Sequence, residues 1–489
     1  MNASTADYPD SDALTPTQLA KQLSRVTDGL LTRYNTSGPR YTSYPTAPVW
    51  TTDFDARAFR YVLESSRETQ TGNTPLALYT HIPFCEERCL FCGCNVVITK
   101  QKHQAETYLS HLFKEIDLAC EWMAPQRPVF QLHWGGGTPT YLTTEQMTRL
   151  FQHLKDRFQI QADAEIALEV DPRVTTTEQV TALRALGFNR ISLGVQDFNP
   201  AVQEAIHRVQ STEMTETLME TCRALGYQGI NLDLIYGLPY QTTETFQQTL
   251  STVIRLNPDR IALYNYAHVP WMAPHQKQIP EDALPPGPVK FEIFRTALQR
   301  LTEAGYVYIG MDHFARPTDE LAQALTAGTL HRNFMGYTVH SGLKTNTVTE
   351  LHGFGVSAIS GYSAHYAQNV KKLSDYYEAL ERKQLPTWRG YGLSQDDLIR
   401  RSVIQQILCR GQLLYEATAE AFQLEVPTYF ADSLRRLAPM AEDGLVRLTE
   451  DGLYLTVLGR IFARNVAMHF DAYLKPEQTG AQPIFSKTL

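Results

Sequence analysis

The sequence contains no long apolar run and no block of like charge, and both absences exclude classes of protein. No stretch approaches the roughly eighteen consecutive apolar residues of a membrane-spanning helix, and the N-terminus has neither the basic nor the apolar region of a secretion signal. The formal net charge is −8, which does not favour nucleic-acid binding. We therefore expect a cytoplasmic monomer that binds neither a membrane nor nucleic acid.

Cysteine is also scarce. The 489 residues include seven cysteines, an odd number that does not suit a framework of disulfide bonds. Four of them, Cys85, Cys89, Cys92 and Cys94, lie within ten residues. One tight loop with this spacing can present three thiolates to three irons of a 4Fe-4S cluster. The fourth iron then remains free to bind a small ligand.

A zinc site is the main alternative for this loop. Structural zinc normally takes paired Cys-x-x-Cys or Cys/His sets that close a tetrahedral shell, and the sequence has no second pair. The pattern therefore favours a cluster. The softness of a thiolate does not decide whether Cys94 is a fourth ligand or only a neighbour of the cluster.

The middle of the chain alternates short β-branched or apolar runs with amphipathic helical patterns, which is typical of βα units and a parallel sheet. We predict strands at 76–81, 131–134, 165–170, 190–195, 230–235 and 260–266. Helices are predicted at 106–122, 145–158, 177–186, 212–225, 244–256 and 288–304. No clear seventh or eighth unit follows, so we expect an α/β fold built on an open (β/α)6 partial barrel.

Polar and glycine-rich breaks follow the predicted strands. The cysteine loop follows the first strand, and the glycines at 135–137 follow the second. Glu169, Gln196 and Asp233 stand at the ends of the next three strands, and Asn265 and His268 at the end of the sixth. Barrels of this kind place their active sites at the edge where the strands end.

The two ends of the chain differ from the barrel. We predict a polar tail at 1–15, a helix at 16–31 and an irregular stretch at 33–45. A capping-box helix at 397–409 and a hairpin at 445–448 and 453–457 predict a mainly helical, winged-helix-like C-terminal domain. The predicted domains are therefore 1–45, 46–385 and 386–489.

Longer strings around the strand ends resemble the oxygen-independent coproporphyrinogen III oxidase family, within the radical S-adenosylmethionine superfamily. The cysteine pattern is Cys-x3-Cys-x2-Cys. The other strings are RYTSYPT at 40–46, QLHWGGGTPT at 131–140, EVDPR at 169–173, GVQDF at 194–198, DLIYGLP at 233–239 and GMDHF at 310–314. The likeness covers about residues 30 to 475 and so spans both predicted domains.

This resemblance implies a radical reaction in haem biosynthesis. Two propionates of coproporphyrinogen III are decarboxylated to vinyl groups, giving protoporphyrinogen IX without oxygen. The resemblance implies one 4Fe-4S cluster and two molecules of S-adenosylmethionine, one of which binds the cluster. A 5′-deoxyadenosyl radical takes a hydrogen from each propionate, and we expect a small redox protein as electron donor.

The resemblance also assigns residues. Cys85, Cys89 and Cys92 match the cluster ligands, and Cys94 matches a catalytic position beside the cluster. Contacts to the first S-adenosylmethionine match Tyr79, Gly136, Glu169 and Ile359. Contacts to the second match Phe91, Gly137, Thr138, Gln196, Arg208, Asp233 and Ala267.

The substrate carries four carboxylates, so the site needs cationic side chains. Candidates are Arg33 and Arg40, in the N-terminal segment that the resemblance places at the active site as a substrate-proximal element, and Arg332. Asp312 and His313 are expected either to handle protons or to hold a loop. The chain departs from the family pattern in a longer loop at 339–352, where His352 replaces leucine.

Two other functions remain as alternatives. A haem chaperone or an anaerobic haem-degrading enzyme would share the cluster, but we expect a chaperone to lack both the 40–45 segment and the Cys92-Gly93-Cys94 pair. A non-catalytic cluster sensor that binds DNA through the wing would leave the strand-end glycines and carboxylates unexplained, and no basic helix accompanies the wing.

Overall fold

A computed structural model describes residues 16–69, 74–124, 127–339, 349–474 and 484–488. The predicted tail at 1–15 and most of the longer loop at 339–352 lie outside these ranges. Within these ranges no helix combines the length and the apolar character that crossing a membrane requires.

The strands form one large mixed sheet of twelve strands and three small sheets of two, three and two strands. In chain order the strands are β1 Leu76–Ile82, β2 Phe84–Cys85, β3 Val97–Ile98, β4 Pro128–Gly136, β5 Gln159–Val170, β6 Arg190–Gln196, β7 Gly229–Tyr236, β8 Arg260–Asn265, β9 Val307–Gly310, β10 His313–Ala315, β11 Leu330–Asn333, β12 Gly336–Val339, β13 Glu350–Phe354, β14 Ile359–Tyr362, β15 His365–Asn369, β16 Thr387–Gly392, β17 Gln412–Leu414, β18 Val446–Leu448 and β19 Gly452–Leu455.

The α-helices are α1 Pro16–Leu23, α2 Asp28–Tyr34, α3 Ala56–Thr69, α4 His103–Trp122, α5 Thr144–Arg157, α6 Thr177–Leu186, α7 Pro200–Ala205, α8 Thr212–Ala224, α9 Thr243–Leu256, α10 Gly287–Glu303, α11 Glu320–Thr326, α12 Leu373–Glu381, α13 Gln395–Arg410, α14 Tyr415–Phe422, α15 Val426–Tyr429, α16 Ala431–Arg436, α17 Ala438–Glu442, α18 Val457–Ile461 and α19 Ala463–Met468. Short 3-10 helices lie at Ala47–Val49, Pro139–Tyr141, Pro274–Gln278 and Glu281–Ala283.

Seven neighbouring strands of the large sheet are parallel, in the order β13-β1-β4-β5-β6-β7-β8. Antiparallel strands extend the sheet beyond β13 and beyond β8. The outermost strands, β16 and β9, do not pair with each other in the described part of the chain, so the barrel is open. Strands β1, β4, β5, β6, β7 and β8 are the six predicted from the sequence, and the predicted open α/β barrel is confirmed.

The seventh parallel strand was not predicted. Every residue of β13 is buried, so its sequence carries no alternation of polar and apolar residues. It pairs with β1 from Leu76 opposite Glu350 to Thr80 opposite Phe354. An ion pair of 2.8 Å between Arg127 Nη2 and Glu350 Oε2 is buried at the start of the strand. This pairing places the segment after β13 beside the cysteine loop.

The helices between the strands begin at sequence signals for helix starts. Thr143, Thr176 and Thr242 each form a capping box at the start of α5, α6 and α9. Leucines of these helices are fully buried in the core. The polar inner face of the sheet lines a cavity of about 150 Å³. The sheet therefore separates an apolar core from a polar interior.

The predicted single helix at 16–31 is wrong. The chain forms two helices, α1 and α2, because Thr27 starts a new helix by accepting a hydrogen bond from Leu30 N at 3.3 Å. The irregular stretch that was predicted to follow is confirmed from Asn35 onward, and within it Tyr41 and Tyr44 are each only 1% exposed.

The C-terminal part holds this irregular stretch in place. Arg464 donates to the carbonyl oxygens of Gly38 and Pro39, the latter at 3.1 Å. Asn465 Nδ2 donates to Tyr34 O at 2.7 Å. A segment without regular hydrogen bonds is thus satisfied by side chains of α19.

The C-terminal domain has the predicted wing. Helix α13 contains the predicted 397–409 helix and begins with a capping box from Ser394. Strands β18 and β19 form the predicted hairpin, and β17 adds a third strand to it. The predicted boundary at 385 falls before β16, which is still part of the large sheet. The barrel sheet therefore extends to Gly392.

His352 supplies a test of how this core responds to pH. Its ring is 1% exposed on β13, stacks on Phe59, and its Nδ1 lies 2.7 Å from Tyr362 OH. Burial lowers the pKa of His352 to about 3, so the folded state resists protonation that the unfolded chain accepts near pH 6.5. Above pH 6.5 the ring is neutral in both states, so its burial does not oppose folding. As the pH falls below 6.5, the unfolded chain gains a proton that the folded state does not, and the unfolding free energy declines.

We expect His352→Leu to remove this part of the acid sensitivity. Between pH 6.5 and 5 the variant should lose about 2 kcal/mol less unfolding free energy than the unsubstituted protein, at roughly 1.4 kcal/mol per proton and pH unit. Denaturant unfolding followed by circular dichroism measures this difference. The exposed His103→Leu serves as control, and an identical pH dependence in the two variants would contradict the account.

Candidate active site

The four clustered cysteines lie in the loop that leaves β1 and leads to α4. Cys85 ends β2, which pairs in parallel with β3 and closes the base of the loop. The backbone N–H of Cys92 donates to Cys89 O at 3.3 Å, so these two residues share a tight turn. All four are free thiols; Cys89 is buried, whereas Cys94 is exposed.

The cysteines do not form a site for a single ion. Among the described residues, no three His, Cys, Asp or Glu side chains are close enough together to hold one metal ion. Zinc needs its thiolate ligands at about 2.3 Å from one centre. A cubane cluster instead takes each thiolate on a separate iron.

Two arginines lie against Cys89. Arg208 Nη1 and Arg173 Nη2 are 3.5 and 3.6 Å from Cys89 Sγ. The same two nitrogens donate to Asp171 Oδ2 at 3.1 and 2.7 Å. Burial raises the pKa of Asp171, but the two arginines outweigh burial and hold it below its usual value. Two cations and one carboxylate therefore leave net positive charge beside the Cys89 sulfur.

The other thiols differ in acidity. Burial raises the pKa of Cys85 to about 11, although Thr138 Oγ1 lies 3.5 Å from its sulfur. The side chain of Cys94 lowers the pKa of Cys92 to about 7, and the backbone N–H of Cys94 donates to Cys92 Sγ at 3.4 Å. The same side-chain contact raises the pKa of Cys94 itself. Cys94 therefore acts as a donor to Cys92.

The segment after β8 supports the cysteine loop from the opposite side. Gln276 is 1% exposed, and its amide donates to Phe91 O and Ala267 O, both at 3.2 Å. His275 Nε2 donates to Cys92 O at 2.7 Å. These contacts bring Phe91 and Ala267, two residues predicted to contact the second S-adenosylmethionine, to one buried amide.

Gly135 and Gly136 at the end of β4, and Gly137 directly after it, approach neighbouring groups closely. A Cβ on Gly135 would lie 2.9 Å from the Glu169 carboxylate. Gly136 has a φ of +114°, and a Cβ there would meet the His81 ring at 2.4 Å. At Gly137 it would meet Phe84 O at 2.7 Å. A side chain at Gly135 or Gly136 would displace the Glu169 carboxylate or the His81 ring, and one at Gly137 would collide with backbone.

Glu169 lies at the end of β5 against these glycines. Gly136 N donates to Glu169 Oε2 at 3.1 Å, and His133 Nε2 lies 3.4 Å from Oε1. Burial raises the pKa of Glu169, but His133 and Gly136 outweigh burial and hold it below its usual value. The carboxylate is therefore ionised, and its side chain remains 43% exposed. It can accept hydrogen bonds from a ligand.

Tyr79 and His81 form a short relay on β1. The Nε2 of His81 donates to Asn95 O at 2.9 Å, so its Nδ1 can accept from Tyr79 OH at 3.1 Å. The ring of Tyr79 stacks on His133 with centroids 6.0 Å apart. This relay connects the inner face of the sheet to the cysteine loop.

The ends of β6 and β7 carry the remaining predicted contacts. Asp233 accepts from Ser192 Oγ at 2.9 Å and Asn231 Nδ2 at 2.8 Å. Burial raises the pKa of Asp233 to about 6, and the charge of Glu169 adds to the effect. Gln196 has a φ of +68°. Its Nε2 lies 3.0 Å, and Arg208 Nη2 lies 2.8 Å, from the point that a Cβ on Gly194 would occupy. Arg208 links these strand ends to Cys89.

A cavity of about 370 Å³ opens above this edge of the sheet. Tyr79, Glu169 and Ile359 line one side of it. Arg40 and Arg332 line it as well. The structure thus brings three of the residues predicted to contact the first S-adenosylmethionine, and two of the three predicted substrate arginines, to one cavity.

The two arginines differ in their contacts. Arg40 donates to Asp312 Oδ2 and Oδ1 at 2.7 and 3.1 Å and lies over the Tyr264 ring. Arg332 is 7% exposed, lies over the Tyr337 ring, and its Nη1 has no hydrogen-bond partner among the described residues. An unpaired buried guanidinium nitrogen can bind an anionic ligand.

Arg33 does not belong to this cavity. Its side chain is 57% exposed and forms an ion pair of 2.5 Å with Asp443 of the C-terminal domain. The prediction that it contacts substrate is therefore not supported, because the chain turns at Asn35 and separates Arg33 from Arg40.

Three site residues were not predicted from the sequence. His133 could have been predicted from the sequence, because it lies two residues before Gly135 and therefore on the same face of β4. Both residues lie against Glu169. Tyr264 also lies on an inward-facing strand position. Gln276 gave no signal, because its role depends on a loop that is distant in sequence from the cysteines.

Comparison with protein families identifies two regions of the chain. Residues 79–253 match the radical SAM superfamily model, and residues 393–462 match the HemN C-terminal domain model. The second match begins directly after β16, where the large sheet ends. Membership of the radical SAM superfamily implies a 4Fe-4S cluster and S-adenosylmethionine.

Full-length relatives extend this result. The chain is 46% identical to an oxygen-independent coproporphyrinogen III oxidase of Synechocystis, covering 94% of this chain and 97% of the relative. It is 47% identical to that of Escherichia coli over 91% and 95% of the two chains. The solved structure of the Escherichia coli coproporphyrinogen III oxidase HemN, described as a radical SAM enzyme, superposes with a TM-score of 0.85 at 45% identity, covering 92% of this chain and 99% of that one. The chain therefore belongs to the oxygen-independent coproporphyrinogen III oxidase family.

Proposed function

We propose that this chain decarboxylates two propionates of coproporphyrinogen III to vinyl groups without oxygen, giving protoporphyrinogen IX. The observation that carries the proposal is the cavity of about 370 Å³, which is lined both by Glu169 and by Arg332 with its unpaired nitrogen. A cofactor wall and an anion-binding cation on one cavity suit a substrate with carboxylate side chains. A non-catalytic sensor has no need of either.

Cys85, Cys89 and Cys92 are the proposed cluster ligands. The free thiols and the two arginines beside Cys89 fit a cluster that is anionic at its sulfurs. Cys94 is proposed as a neighbour that donates to Cys92. When bound, the cluster and S-adenosylmethionine would supply the 5′-deoxyadenosyl radical that takes a hydrogen from a propionate. Carbon dioxide then leaves, and an electron acceptor removes the remaining electron to give the vinyl group.

The first S-adenosylmethionine is proposed to contact Tyr79, Gly136, Glu169 and Ile359. Glu169 offers an ionised carboxylate to hydroxyl or ammonium groups. Tyr79, Glu169 and Ile359 share the cavity, and Gly136 donates its N–H to Glu169. These contacts orient the ligand beside the cysteine loop.

The second S-adenosylmethionine is proposed to contact Phe91, Gly137, Thr138, Gln196, Arg208, Asp233 and Ala267. The bond of Gln276 to Phe91 and Ala267, and the approach of Gln196 to Arg208, support two parts of this set. Thr138 lies against Cys85. Members of the set therefore contact the cysteine loop at Cys85 and at Cys89.

The substrate is proposed to bind through Arg332 and Arg40. Arg332 Nη1 donates to a propionate oxygen, and Arg40, already held by Asp312, supplies a second fixed positive charge. His313, whose Nδ1 also has no partner among the described residues, lines the same cavity and contacts the Tyr337 ring over which Arg332 lies. A small redox protein of the cytoplasm is the proposed electron donor, and the protein is proposed to act as a monomer.

We expect the reconstituted protein to convert coproporphyrinogen III to protoporphyrinogen IX under anaerobic conditions with S-adenosylmethionine and a reductant. Methionine and 5′-deoxyadenosine should form as co-products, and liquid chromatography with mass spectrometry detects all of them. Deoxyadenosine without any change in the porphyrinogen would retain the radical chemistry and reject the substrate.

Cys85→Ser should remove most of the cluster iron, because a serine hydroxyl is a poor substitute for a soft thiolate. Cys94→Ser is the matched control in the same loop and should keep its iron. Iron analysis and the visible absorbance of the purified variants measure the difference. A Cys85→Ser protein with full iron would contradict the ligand assignment.

Arg332→Gln should raise the KM for coproporphyrinogen III by about tenfold or more, because a charge-assisted hydrogen bond contributes roughly 1.5–3 kcal/mol. The KM for S-adenosylmethionine should not change. Arg33→Gln, at the exposed arginine paired with Asp443, is the control and should leave both constants unchanged. Equal porphyrinogen KM values for the two variants would remove Arg332 from the substrate site.

A further inference from the structure

The cysteine loop has one exposed side. Gly93 and Cys94 are exposed, and a Cβ on Gly93 would meet no atom within 4 Å. The next residue, Asn95, connects two regions: its carbonyl accepts from His81 Nε2 at 2.9 Å, and its Nδ2 donates to Lys371 O at 3.1 Å. The loop is therefore attached directly to the segment between β15 and α12.

That segment carries cations around an exposed aromatic ring. Lys371 and Lys372 are exposed, and Trp388 on β16 is 37% exposed. Lys371 Nζ lies 5.1 Å and Arg389 Cζ 4.3 Å from the centre of the Trp388 ring. We call Lys371, Lys372, Trp388 and Arg389 the cationic surface.

The charges of the cationic surface are not neutralised within the described chain. Lys100 and Lys102, which also lie near the cysteine loop, pair with Glu87 and Glu86 at 3.8 and 2.8 Å. Lys371 and Lys372 have no such partner among the described residues, and Arg389 donates to the neutral amide of Gln368 at 2.9 Å.

Such a surface is unusual on a chain with a net charge of −8. Aromatic residues and arginine are enriched at protein interfaces, and complementary charge on a partner speeds its association. The electron required by the proposed function must enter near the cysteine loop, and the cationic surface is joined to that loop by the hydrogen bond from Asn95 to Lys371. An acidic partner complements its charge.

We propose that the cationic surface is the docking site of the electron donor, a small acidic protein that carries one electron. This inference rests on the proposed function, which requires one electron for each S-adenosylmethionine that is cleaved. In the docked complex the donor is oxidised by one electron and the cluster is reduced by one. Lys371 and Lys372 attract the donor, and Trp388 forms the apolar centre of the contact.

The test uses the holoenzyme and a purified acidic flavodoxin as the donor. Lys371→Glu/Lys372→Glu should raise the Kd for flavodoxin by about tenfold or more at roughly 0.05 M salt, and the difference should shrink at roughly 0.5 M salt because exposed charges are screened. The rate at which reduced flavodoxin bleaches the visible absorbance of the cluster should fall in parallel. The rate with dithionite should not change.

Lys21→Glu/Lys155→Glu is the control, because it makes the same change in net charge at exposed lysines of α1 and α5. Equal Kd values for the two double variants would overturn the proposal, as would a wild-type protein that does not bind flavodoxin. Met272→Glu tests the competing apolar surface near His275, where Met272 is 65% exposed. Weaker binding in that variant alone would place the donor there and overturn the proposal.

The two proposals fail in different ways. Conversion of coproporphyrinogen III with dithionite tests the proposed function and does not involve the cationic surface. If this conversion is absent while flavodoxin binding depends on Lys371 and Lys372, the substrate assignment fails and the docking surface stands. If conversion occurs and binding ignores the lysines, only the docking surface fails.

Discussion

One constraint determines the rest of the structure: the carboxyl ends of parallel strands meet at the same edge of a sheet. Residues far apart in sequence, such as Tyr79, Glu169 and Asp233, become neighbours because β1, β5 and β7 share a sheet of fixed register. The glycines after β4 are part of the same constraint, since a side chain there would collide with Glu169 or His81. The sheet therefore fixes the relative positions of the strand-end residues at the site.

Positive and negative charge lie at different places along this edge of the sheet. Beside the cysteine loop, Arg208 and Arg173 share Asp171 and leave positive charge at Cys89. Across the cavity, Glu169 stays ionised although burial opposes it, because His133 and a backbone N–H stabilise its charge. The arginines beside Cys89 and the ionised carboxylate of Glu169 thus lie at the same edge of the sheet.

The ends of the chain complete the site although neither belongs to the barrel. The segment that carries Arg40 has no regular secondary structure, and its backbone is satisfied by Arg464 and Asn465 from α19. Arg40 is then fixed by Asp312 from the barrel side. The C-terminal domain therefore serves the cavity by holding an N-terminal segment over it. This dependence explains why family likeness extends through both domains.

The amino-acid sequence by itself determined the cysteine loop, the six βα units and the strand-end residues, because thiolate spacing, hydrophobic periodicity and capping patterns are local signals. It did not reveal β13, whose residues are all buried and carry no period, nor the break between α1 and α2, where one capping threonine outweighs a helical pattern. Only the tertiary structure separated Arg332 and Arg40 from Arg33. All three are arginines in similar sequence surroundings, and what distinguishes them is which groups lie within a few ångströms in space.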